Sequence, residues 1–300
     1  MKVTAVIVTY NRLELLRKCI STVAAQTRKV DEIVVVDNHS TDGTAAFLAD
    51  ISRSHPDIHL LSLPENLGGA GGFEAGIRRA IELSADYVWI MDDDTHPSPS
   101  ALEQLMSVAA EHPDMGFAAS RVVWTDGSIH KMNSPLFCDK TLGSNMERLR
   151  AGAVECRAAT FVSLLVPARV VRALGLPIGA FFIWHDDIEY TSRIFRAGHP
   201  GYYVPESIVV HATAENLGAT IDNAPAKSAH RFYYQMRNYV ATKRLEKGLL
   251  RGLVSGWLKY RRLRRDIKKR PDHRGIFMNE VKNGFRDGLS FRPTIPMINK

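Results

Sequence analysis

The sequence predicts an α/β fold, with a mostly parallel sheet flanked by helices and a helical basic C-terminal extension. Three observations lead to this prediction. Apolar β-rich segments alternate with helical patterns over residues 3–124, polar side chains follow several predicted strands, and positive charge is concentrated after residue 242. Such βαβ alternation is typical of a parallel sheet, whose ligands gather beyond the carboxyl ends of the strands.

The first predicted strands are short, apolar and rich in β-branched residues. They are Val3–Thr9, Ile33–Asp37, Ile58–Leu63, Tyr87–Met91 and Gly116–Val123. The helical patterns between them are Leu13–Gln26, Thr44–Arg53, Gly71–Ser84 and Ser100–Glu111. The last of these helices has Ser100 and Glu103 at the spacing of a capping box.

The second half of the chain is less regular. No regular structure is predicted for residues 125–160, where Asp-Gly and Ser-Pro pairs indicate turns. Strand character returns at Thr160–Val166, an apolar run at Leu176–Trp184 precedes a helix at Asp187–Ala197, and residues 228–270 are predicted to be helical.

The composition is that of a protein that buries a sizeable core. Of the 300 residues, 45% are hydrophobic and 24% charged, which excludes disordered and collagen-like chains. No apolar stretch is long enough to span a bilayer. Cys19, Cys138 and Cys156 form no C-x-x-C pair, so neither a disulfide framework nor a zinc site is expected, and a cytoplasmic location fits best.

The net charge of +7 comes from the C-terminal region, because residues 243–274 carry 13 Lys and Arg against three acids. Helical spacing puts five residues of segment 252–270 near one face, namely Leu253, Trp257, Tyr260, Arg264 and Ile267. We therefore predict an amphipathic helix that lies on the anionic inner surface of the cytoplasmic membrane. The alternative is a solvated basic helix packed on the domain. Nucleic-acid binding is not expected, since the rest of the chain is net negative.

Three consecutive acids, Asp92, Asp93 and Asp94, follow the strand Tyr87–Met91. Alternate residues of an extended segment point the same way, so Asp92 and Asp94 can converge on one cation. Hard oxygen ligands suit Mg²⁺ or Mn²⁺ shared with a phosphate substrate, and His211, at the end of a later strand, is a candidate third ligand. The alternative is an acidic turn that caps the next helix.

Two other strand ends and a glycine-rich helix start are candidates for nucleotide contacts. The polar residues are Thr9, Asn11 and Arg12 after the first strand, and Asp37 after the second. In the segment that begins at Asn66, the backbone of Gly68 and Gly69 can approach a phosphate or sugar closely. The segment lacks the dinucleotide fingerprint and the chain has no G-K-[ST] loop, which excludes dehydrogenases and P-loop nucleotidases.

A second group of acids follows aromatic residues at a predicted helix start. Asp186, Asp187 and Glu189 could each take a proton from a sugar hydroxyl. Trp184 or Tyr190 could form the flat wall against which a sugar ring packs. The alternative is that the acids cap the helix and the aromatic side chains belong to the core.

Taken together, these segments resemble family 2 of the inverting glycosyltransferases, which have the Rossmann-like GT-A fold. The resemblance covers about residues 2–245 and rests on V-T-Y-N-R, V-V-D-N-H-S-T-D-G, the Asp triplet, W-x-D-D-x-E and a later strand-end His. N-L-G-G-A-G-G-F, M-D-D-D, F-I-W-H-D-D-I-E-Y, V-V-H and Y-Y-Q-M-R-N-Y look like motifs of bacterial galactofuranosyltransferases. Rhamnosyltransferases are the next most similar group.

The resemblance implies a domain over residues 1–245, with a nucleotide-sugar half at 1–124 and an acceptor half at 125–245, followed by a basic region at 246–300. It implies a metal on Asp92, Asp94 and His211, and a donor held by Asp37, Asp93, Thr9, Asn11, Arg12 and the Asn66–Gly69 segment. Asp187 would be the general base, with Glu189 in reserve and Asp186 on a hydroxyl. Trp184, His185 and Tyr190 would face the acceptor, although His185 here interrupts the usual Trp-Asp-Asp order.

The resemblance also implies the reaction. UDP-galactofuranose is the favoured donor and dTDP-rhamnose the rival, with a lipid-linked glycan of a bacterial cell-surface polysaccharide as the acceptor. Direct displacement would convert an α-linked donor into a β-linked product. A non-catalytic sugar-nucleotide-binding protein is the alternative of a different class.

Overall fold

The computed structural model describes residues 1–139, 142, 149, 152–218, 220–222 and 224–298. These residues form a mixed ten-stranded sheet with helices on both faces and a helical C-terminal region. The strands are β1 Val3–Thr9, β2 Glu32–Asp37, β3 Ile58–Ser62, β4 Tyr87–Asp92, β5 Thr95–Pro97, β6 Phe117–Val123, β7 Leu136–Phe137, β8 Val154–Ala158, β9 Leu164–Pro167 and β10 Gly201–His211. The helices are α1 Leu13–Ala24, α2 Thr44–Ser54, α3 Gly68–Glu82, α4 Ala101–Glu111, α5 Ala168–Leu174, α6 Asp186–Arg196, α7 Ala229–Lys247, α8 Leu249–Lys269 and α9 Arg274–Ser290.

The sheet has a parallel half and a mixed half. Its order is β3-β2-β1-β4-β9-β6-β10-β8-β7, with β5 paired to β10. Strands β1 to β4 run parallel, β9 is antiparallel to both β4 and β6, and β10 runs parallel to β6. Helices cover the parallel strands on both faces, which explains why every residue of β1 is buried and most of them are apolar.

Alternation along β1 divides the core into two layers. Val6 and Val8 face the layer that contains Phe73 of α3, whereas Ala5 and Ile7 face the opposite layer, formed mainly by α1 and α4. Both layers are buried because successive side chains of a strand point to opposite faces of the sheet. The carboxyl ends of the parallel strands are thereby left at one edge, where the predicted site residues lie.

The predicted strands and helices of the first 124 residues are confirmed, with small shifts at their ends. Helix α3 begins at Gly68 rather than at residue 71, so the glycine-rich segment belongs to its first turn. The capping box predicted for α4 is not formed. Ser100 makes no side-chain cap, and the carboxylate of Glu103 accepts a hydrogen bond from Thr27 Oγ1 instead.

Several elements of the second half were missed from the sequence. Strands β7 and β8 lie within the segment predicted to be irregular, and α5 and α9 had not been assigned. Their signals are weak because β7 has two residues, β8 is half-exposed and α5 is short. Part of the predicted irregular segment, residues 140, 141, 143–148, 150 and 151, lies outside the described residues.

The C-terminal region is packed onto the rest of the chain. Helices α7, α8 and α9 share their own apolar core, which includes Met236, Ile267 and Phe277. The segment after α9 runs back to the sheet, where Leu176 N donates to Pro296 O at 2.8 Å. Helix α7 extends to Lys247, so the predicted domain boundary at residue 245 falls inside this helix.

The structure corrects the prediction for the face of α8 that was expected to meet lipid. Ile267 is fully buried, Leu253 packs against the C-terminal core, and the Tyr260 ring stacks on Phe285. Leu253, Tyr260 and Ile267 turn inward because α7 and α9 provide an apolar surface to cover them, whereas Trp257 and Arg264 of the same predicted face are exposed. Among the described helices, none combines the length and hydropathy that a membrane span requires.

Candidate active site

Strand register brings the predicted site residues to one edge of the sheet. Thr9 pairs with Asp37 across β1 and β2, and Val8 pairs with Asp92 across β1 and β4. His211 reaches the same edge because β10 pairs with β5 in antiparallel fashion, which sets His211 opposite Thr95. Residues distant in sequence thus meet where parallel strands end.

Asp92, Asp94 and His211 form a compact group of potential metal ligands. One ligand atom from each residue lies within 4.8 Å of the others. His211 Nδ1 lies 2.8 Å from Asn133 Oδ1, which can only accept a hydrogen bond, so Nδ1 carries the proton. Nε2 therefore faces the two carboxylates. Burial lowers the pKa of His211, but its contact with Asp94 raises it overall, and a bound cation would take the place of the Nε2 proton.

The environment of Asp94 Oδ1 tests whether this group suits a cation. This oxygen lies 3.1 Å from His211 Nε2 but is buried without an aligned hydrogen-bond donor. A buried carboxylate oxygen with no donor is costly unless a cation compensates it. Two carboxylates and one imidazole with converging lone pairs fit a divalent ion such as Mn²⁺ or Mg²⁺.

Electrostatics in this group also favour a cation. Burial raises the pKa of Asp92 to about 7, and the neighbouring charge of Asp94 adds to the effect. Burial acts on Asp94 in the same direction, but its contact with His211 and the charge of Arg12 lower the pKa of Asp94 overall. The group therefore combines one carboxylate that is ionised in the apo protein with one that a cation would help to ionise.

Asp93 is turned away from the metal group, toward the end of β1. Its Oδ2 accepts a hydrogen bond from Thr9 Oγ1 at 2.7 Å, and its Oδ1 lies 3.2 Å from Arg12 Nη1. The same Arg12 nitrogen donates to Asp94 Oδ2 at 2.7 Å. Burial raises the pKa of Asp93 to about 6, although Arg12 opposes the shift. Arg12 thus joins the end of β1 to two acids of the triplet.

The predicted nucleoside residues form a bonded loop cluster beside this group. Asp37 is buried, and its Oδ1 accepts a hydrogen bond from Ser40 N at 2.9 Å. Asn11 has a left-handed backbone with φ of 54°, and its Oδ1 accepts a hydrogen bond from Thr41 N at 2.7 Å. These contacts hold the loops after β1 and β2 together, which preorganises the edge that a nucleoside would meet.

The start of α3 contacts the segment that precedes the second acid group. Asn66 Oδ1 accepts a hydrogen bond from Gly68 N at 2.8 Å, and Ala70 N donates to Phe182 O at 3.1 Å. Gly68 has φ of +71°, and a Cβ atom there would lie 2.0 Å from Phe182 O. Only glycine satisfies both conditions, whereas a Cβ at Gly69 would meet only the Phe73 ring at 3.9 Å.

A cleft of about 570 Å³ opens along α3 on the far side of this contact. Leu67 and Phe182 form its apolar part, and Glu74, Arg78 and Arg79 contribute charges of both signs. No residue of the metal group lines this cleft, but Asn66 of the predicted donor segment does.

The second acid group stands at the first turn of α6, after a segment of unusual backbone. Phe182, Trp184 and His185 have φ of 65°, 64° and 70°, a conformation that non-glycine residues rarely adopt. Burial raises the pKa of Asp187 to about 6. Burial, followed by the charges of Asp187 and Asp92, raises the pKa of Asp186 well above its usual range.

The side chains of Glu189 and Tyr190 are buried on the inward face of α6. Both carboxylate oxygens of Glu189 accept hydrogen bonds from the guanidinium of Arg193, at 3.0 Å each, and the pair is buried. Tyr190 is fully buried with its ring edge against Phe161. The structure therefore does not bring these two side chains to an open surface where a base or an acceptor wall is needed.

Trp184 and His185 remain partly exposed, and both pack against α7. The Trp184 ring meets Phe232 edge-on with centroids 5.3 Å apart, and His185 meets Tyr239 at 5.6 Å. Burial, together with the charges of Lys259 and Lys243, lowers the pKa of His185 to about 3, so its imidazole is neutral at physiological pH. Both rings therefore lie between the start of α6 and α7.

Two residues of α7 hold the segment before the acids in place. Asn238 is fully buried, and its side-chain amide donates to the carbonyl oxygens of Phe181, Ile183 and Trp184 at 2.9, 3.0 and 2.9 Å. Arg237 Nε donates to Asn238 Oδ1 at 3.0 Å, which fixes the orientation of the amide. We call this arrangement the Asn238 clamp.

No role is predicted from the sequence for Asn238, Arg237 or Asn133. The first two belong to the segment Y-Y-Q-M-R-N-Y, which was noted only as part of the resemblance. Asn133 stands in the segment predicted to be irregular, and nothing in the local pattern marks it. Its role follows from a contact with His211, 78 positions away in the chain.

The sequence comparisons agree with this geometry. The family model described as "Glycosyl transferase family 2" matches residues 4–165. The chain is 29% identical over 282 residues to "Galactofuranosyltransferase GlfT1" of Mycolicibacterium smegmatis, covering 86% of this chain and 88% of that protein. It is 24% identical over 250 residues to the "N-acetylglucosaminyl-diphospho-decaprenol L-rhamnosyltransferase" of Mycobacterium tuberculosis, covering 75% of this chain and 80% of the other.

The comparison with solved structures agrees on the fold. The structure of GalNAc-T7 with UDP, GalNAc and Mn²⁺ superposes with a TM-score of 0.65 at 14% identity. The match covers 99% of this chain and 55% of that one. The predicted α/β fold with a GT-A-like sheet, flanking helices and a helical C-terminal region is thus confirmed.

Proposed function

The chain belongs to glycosyl transferase family 2, and from this premise we propose that it is an inverting, metal-dependent galactofuranosyltransferase. In this proposal, the donor is UDP-galactofuranose and the acceptor is a lipid-linked glycan. The enzyme class follows from the family, whereas the donor, the acceptor and the roles of individual residues are proposals.

One arrangement carries the mechanism. Asp92, Asp94 and His211 converge on a possible cation site, and the segment that leads into Asp187 is bonded to the start of α3 through Ala70 N and Phe182 O, at 3.1 Å. A nucleotide diphosphate at the first group would therefore place its sugar toward the second group. This is the arrangement that a direct displacement needs, with the leaving group on one side and a base on the other.

A divalent cation bound by Asp92, Asp94 and His211 would neutralise the charge that develops on the UDP leaving group. Asp187 takes the proton of the acceptor hydroxyl as its oxygen bonds to the anomeric carbon. The bond from that carbon to the diphosphate oxygen breaks, and UDP leaves with the electron pair. Attack from the face opposite UDP converts an α-linked donor into a β-linked product.

The remaining residues would bind and orient the substrates. Asp37 would contact the nucleoside, with Thr9, Asn11 and Arg12 around the base and diphosphate. Asp93 and the Asn66–Gly69 segment would face the donor sugar, and Asp186 would bind a sugar hydroxyl. Trp184 and His185, which are partly exposed, would form the acceptor wall. Because Glu189 is bonded to Arg193 on both oxygens, Asp187 is the better supported base.

The donor assignment is supported by the higher identity and coverage of the galactofuranosyltransferase match. The rhamnosyltransferase match at 24% identity favours dTDP-rhamnose as the second candidate donor. The choice between the two donors depends on the nucleotide and sugar contacts. We further propose that the enzyme acts at the inner face of the cytoplasmic membrane, where a lipid-linked acceptor would be presented.

Calorimetric binding of UDP-galactofuranose and of dTDP-rhamnose, with Mn²⁺ and then with chelator, tests the donor. We expect chelator-sensitive binding of the uridine donor and none of the thymidine donor. Preference for dTDP-rhamnose would move the enzyme to the rhamnosyl branch. Binding of neither donor would contradict the donor site, and donor binding without any transfer to lipid-linked acceptors would favour a non-catalytic protein.

A further inference from the structure

The junction of α7 and α8 exposes a row of large apolar side chains. Leu250, Val254 and Leu258 recur every four residues on one face of α8, and they are 78%, 60% and 56% exposed. Trp257, Leu249 and Leu245 are exposed beside them. Such a continuous apolar row on a soluble surface indicates an interaction site rather than scattered exposure.

This row lies beside the face that was predicted to meet lipid, and the exposed Trp257 adjoins both. The opposite side of α8 approaches α7 closely, since a Cβ atom at Gly252 would lie 2.5 Å from Arg244 Cα, and one at Gly256 would lie 2.9 Å from Val240 Cγ2. The two glycines let α8 pack tightly inward. The exposed row therefore serves no packing purpose within the described residues.

The same face continues as a basic row. After Leu258 the residues at spacings of three and four are Arg261, Arg265 and Lys268, all exposed. Within α8, Asp266 is the single acid, and it is paired with Arg262 at 3.9 Å. An apolar half followed by a basic half on one helical face matches a membrane surface, where acyl chains lie next to anionic headgroups.

A pocket of about 310 Å³ lies next to the apolar row, between α7, α8 and the segment after α9. Arg244 and Arg292 line it together with Leu245 and Leu249, and no acid does. The two guanidinium groups share an acceptor, because Arg244 Nη1 and Arg292 Nη1 both donate to Phe291 O, at 2.9 and 3.3 Å. Two neighbouring cations without a facing carboxylate form a site for a phosphate group.

We propose that this α8 docking surface binds a bilayer of anionic phospholipid. The surface consists of Leu245, Leu249, Leu250, Val254, Trp257, Leu258, Arg261, Arg265 and Lys268, with Arg244 and Arg292 in the adjoining pocket. The apolar residues enter the boundary between headgroups and acyl chains, the basic row lies on the headgroups, and the pocket receives a headgroup phosphate. This inference deepens the proposed function, since it names the surface that would bring the enzyme to a lipid-linked acceptor.

The position of the surface relative to the acids supports this role. Asn238 contacts the segment before α6, and Leu245 follows it on the same helix by seven residues, which is about 10 Å along the axis. A protein docked through the end of α7 would hold its acid group near the bilayer. A lipid-linked sugar could then reach the site without leaving the membrane.

Vesicle flotation of the full chain tests the proposal, with 1:1 phosphatidylglycerol–phosphatidylcholine vesicles and pure phosphatidylcholine vesicles as the two probes. We expect at least tenfold stronger binding to the anionic vesicles. The triple variant Leu250→Ser, Val254→Ser, Leu258→Ser and the triple variant Arg261→Gln, Arg265→Gln, Lys268→Gln should each lose about tenfold in this binding. The control Ile276→Ser changes an exposed apolar residue of α9 outside this surface and should bind as the wild type does.

Three results would overturn the proposal. The first is equal binding of the wild type to both kinds of vesicle, and the second is an apolar triple variant that binds as the wild type does. The third is a wild type that is dimeric and does not bind vesicles, together with an apolar triple variant that is monomeric. That result would make the row an interface between copies of this chain.

The pocket has its own test. Arg292→Gln should weaken vesicle binding, and 10 mM inorganic phosphate should not release the protein from the vesicles. Release by phosphate would contradict a headgroup site and indicate a site for a free anion. Calorimetric donor binding by the same variants keeps this test separate from the proposed transfer activity.

Discussion

The side-chain amide of Asn238 donates a hydrogen bond to the carbonyl oxygen of Trp184 at 2.9 Å. The same amide also reaches the carbonyl oxygens of Phe181 and Ile183. One buried residue of α7 therefore stabilises a segment whose backbone is strained at three positions and which leads directly into Asp186 and Asp187. Such strain persists only where the surroundings enforce it.

Loss of the clamp should misplace the acids. Asn238→Asp replaces two N–H donors with a carboxylate that faces three carbonyl oxygens, so we expect a loss of at least about 3 kcal/mol in the free energy of unfolding. Asn238→Ala should lower kcat for transfer while leaving Mn²⁺ affinity within about twofold, since the metal group lies on other strands. Denaturant unfolding and steady-state kinetics measure the two effects. Asn279→Asp, an exposed change on α9, is the control; equal effects of both variants would contradict the clamp.

Asp92 links metal binding to pH-dependent stability. Its pKa is raised from 3.8 to about 7, so between these values the folded chain binds more protons than the unfolded chain. The stability of the metal-free protein should therefore fall as pH rises through this window. Asp92→Asn should raise the Tm of the metal-free protein at pH 8, by about 2–4 °C if the repulsion contributes roughly 1 kcal/mol.

Mn²⁺ should have the opposite effect on the wild type. At 100 times its dissociation constant, a bound ion stabilises a protein by about 2.7 kcal/mol. Asp92→Asn, Asp94→Asn and His211→Ala should each weaken this stabilisation, whereas Asp50→Asn on the exposed face of α2 should retain it. Thermal unfolding with Mn²⁺ and with chelator is the measurement. Full Mn²⁺ stabilisation of His211→Ala would remove His211 from the ligand set.

Asp187 and Glu189 should respond differently to removal of charge. Asp187→Asn should lower kcat by about 10²–10⁴-fold with little change in stability, because the base is lost. Glu189→Gln leaves Arg193 buried without its carboxylate, so it should destabilise the fold by about 3–5 kcal/mol. Kinetics below the unfolding temperature separate the two effects. Near wild-type transfer by Asp187→Asn, together with folded but inactive Glu189→Gln, would reverse the assignment.

The pH profile of transfer gives an independent test of the base. Burial raises the pKa of Asp187 to about 6, and only the ionised carboxylate can accept a proton. At saturating Mn²⁺ we expect kcat to rise with pH and to level off above about pH 6. A profile without an acidic limb in the wild type would exclude a carboxylate of this pKa as the base.

Gly68 should tolerate no side chain. A Cβ atom there would lie 2.0 Å from Phe182 O, in addition to the strain of φ at +71°. Gly127 has φ of +82° but no atom within 4 Å of its Cβ position, so Gly127→Ala measures the strain alone. We expect Gly127→Ala to cost about 1–2 kcal/mol and Gly68→Ala to cost clearly more and to weaken donor binding. Equal melting temperatures of the two variants would show that the α3 contact with Phe182 can yield.

Much of the fold could be predicted because its signals are local. The strands and helices of the first 124 residues follow from apolar periodicity, and the acids that follow β4 are placed by chain order alone. The predictions failed where elements are short or half-exposed, as in β7, β8 and α5, or where a neighbouring helix decides which face is covered. The inward face of α8 is the clearest case, since Ile267 became core rather than a lipid contact.

The sequence by itself determined the parallel strand ends, the carboxylates that follow them and the family to which the chain belongs, because these depend on residue type and spacing. Tertiary structure decided which of these groups meet. It brought His211 to Asp94, bonded Glu189 to Arg193, buried Tyr190 and set Asn238 behind the acids. Periodicity shows which side chains share a face of an element. Only the packing of distant segments determines what that face contacts, and therefore which acids remain available for chemistry.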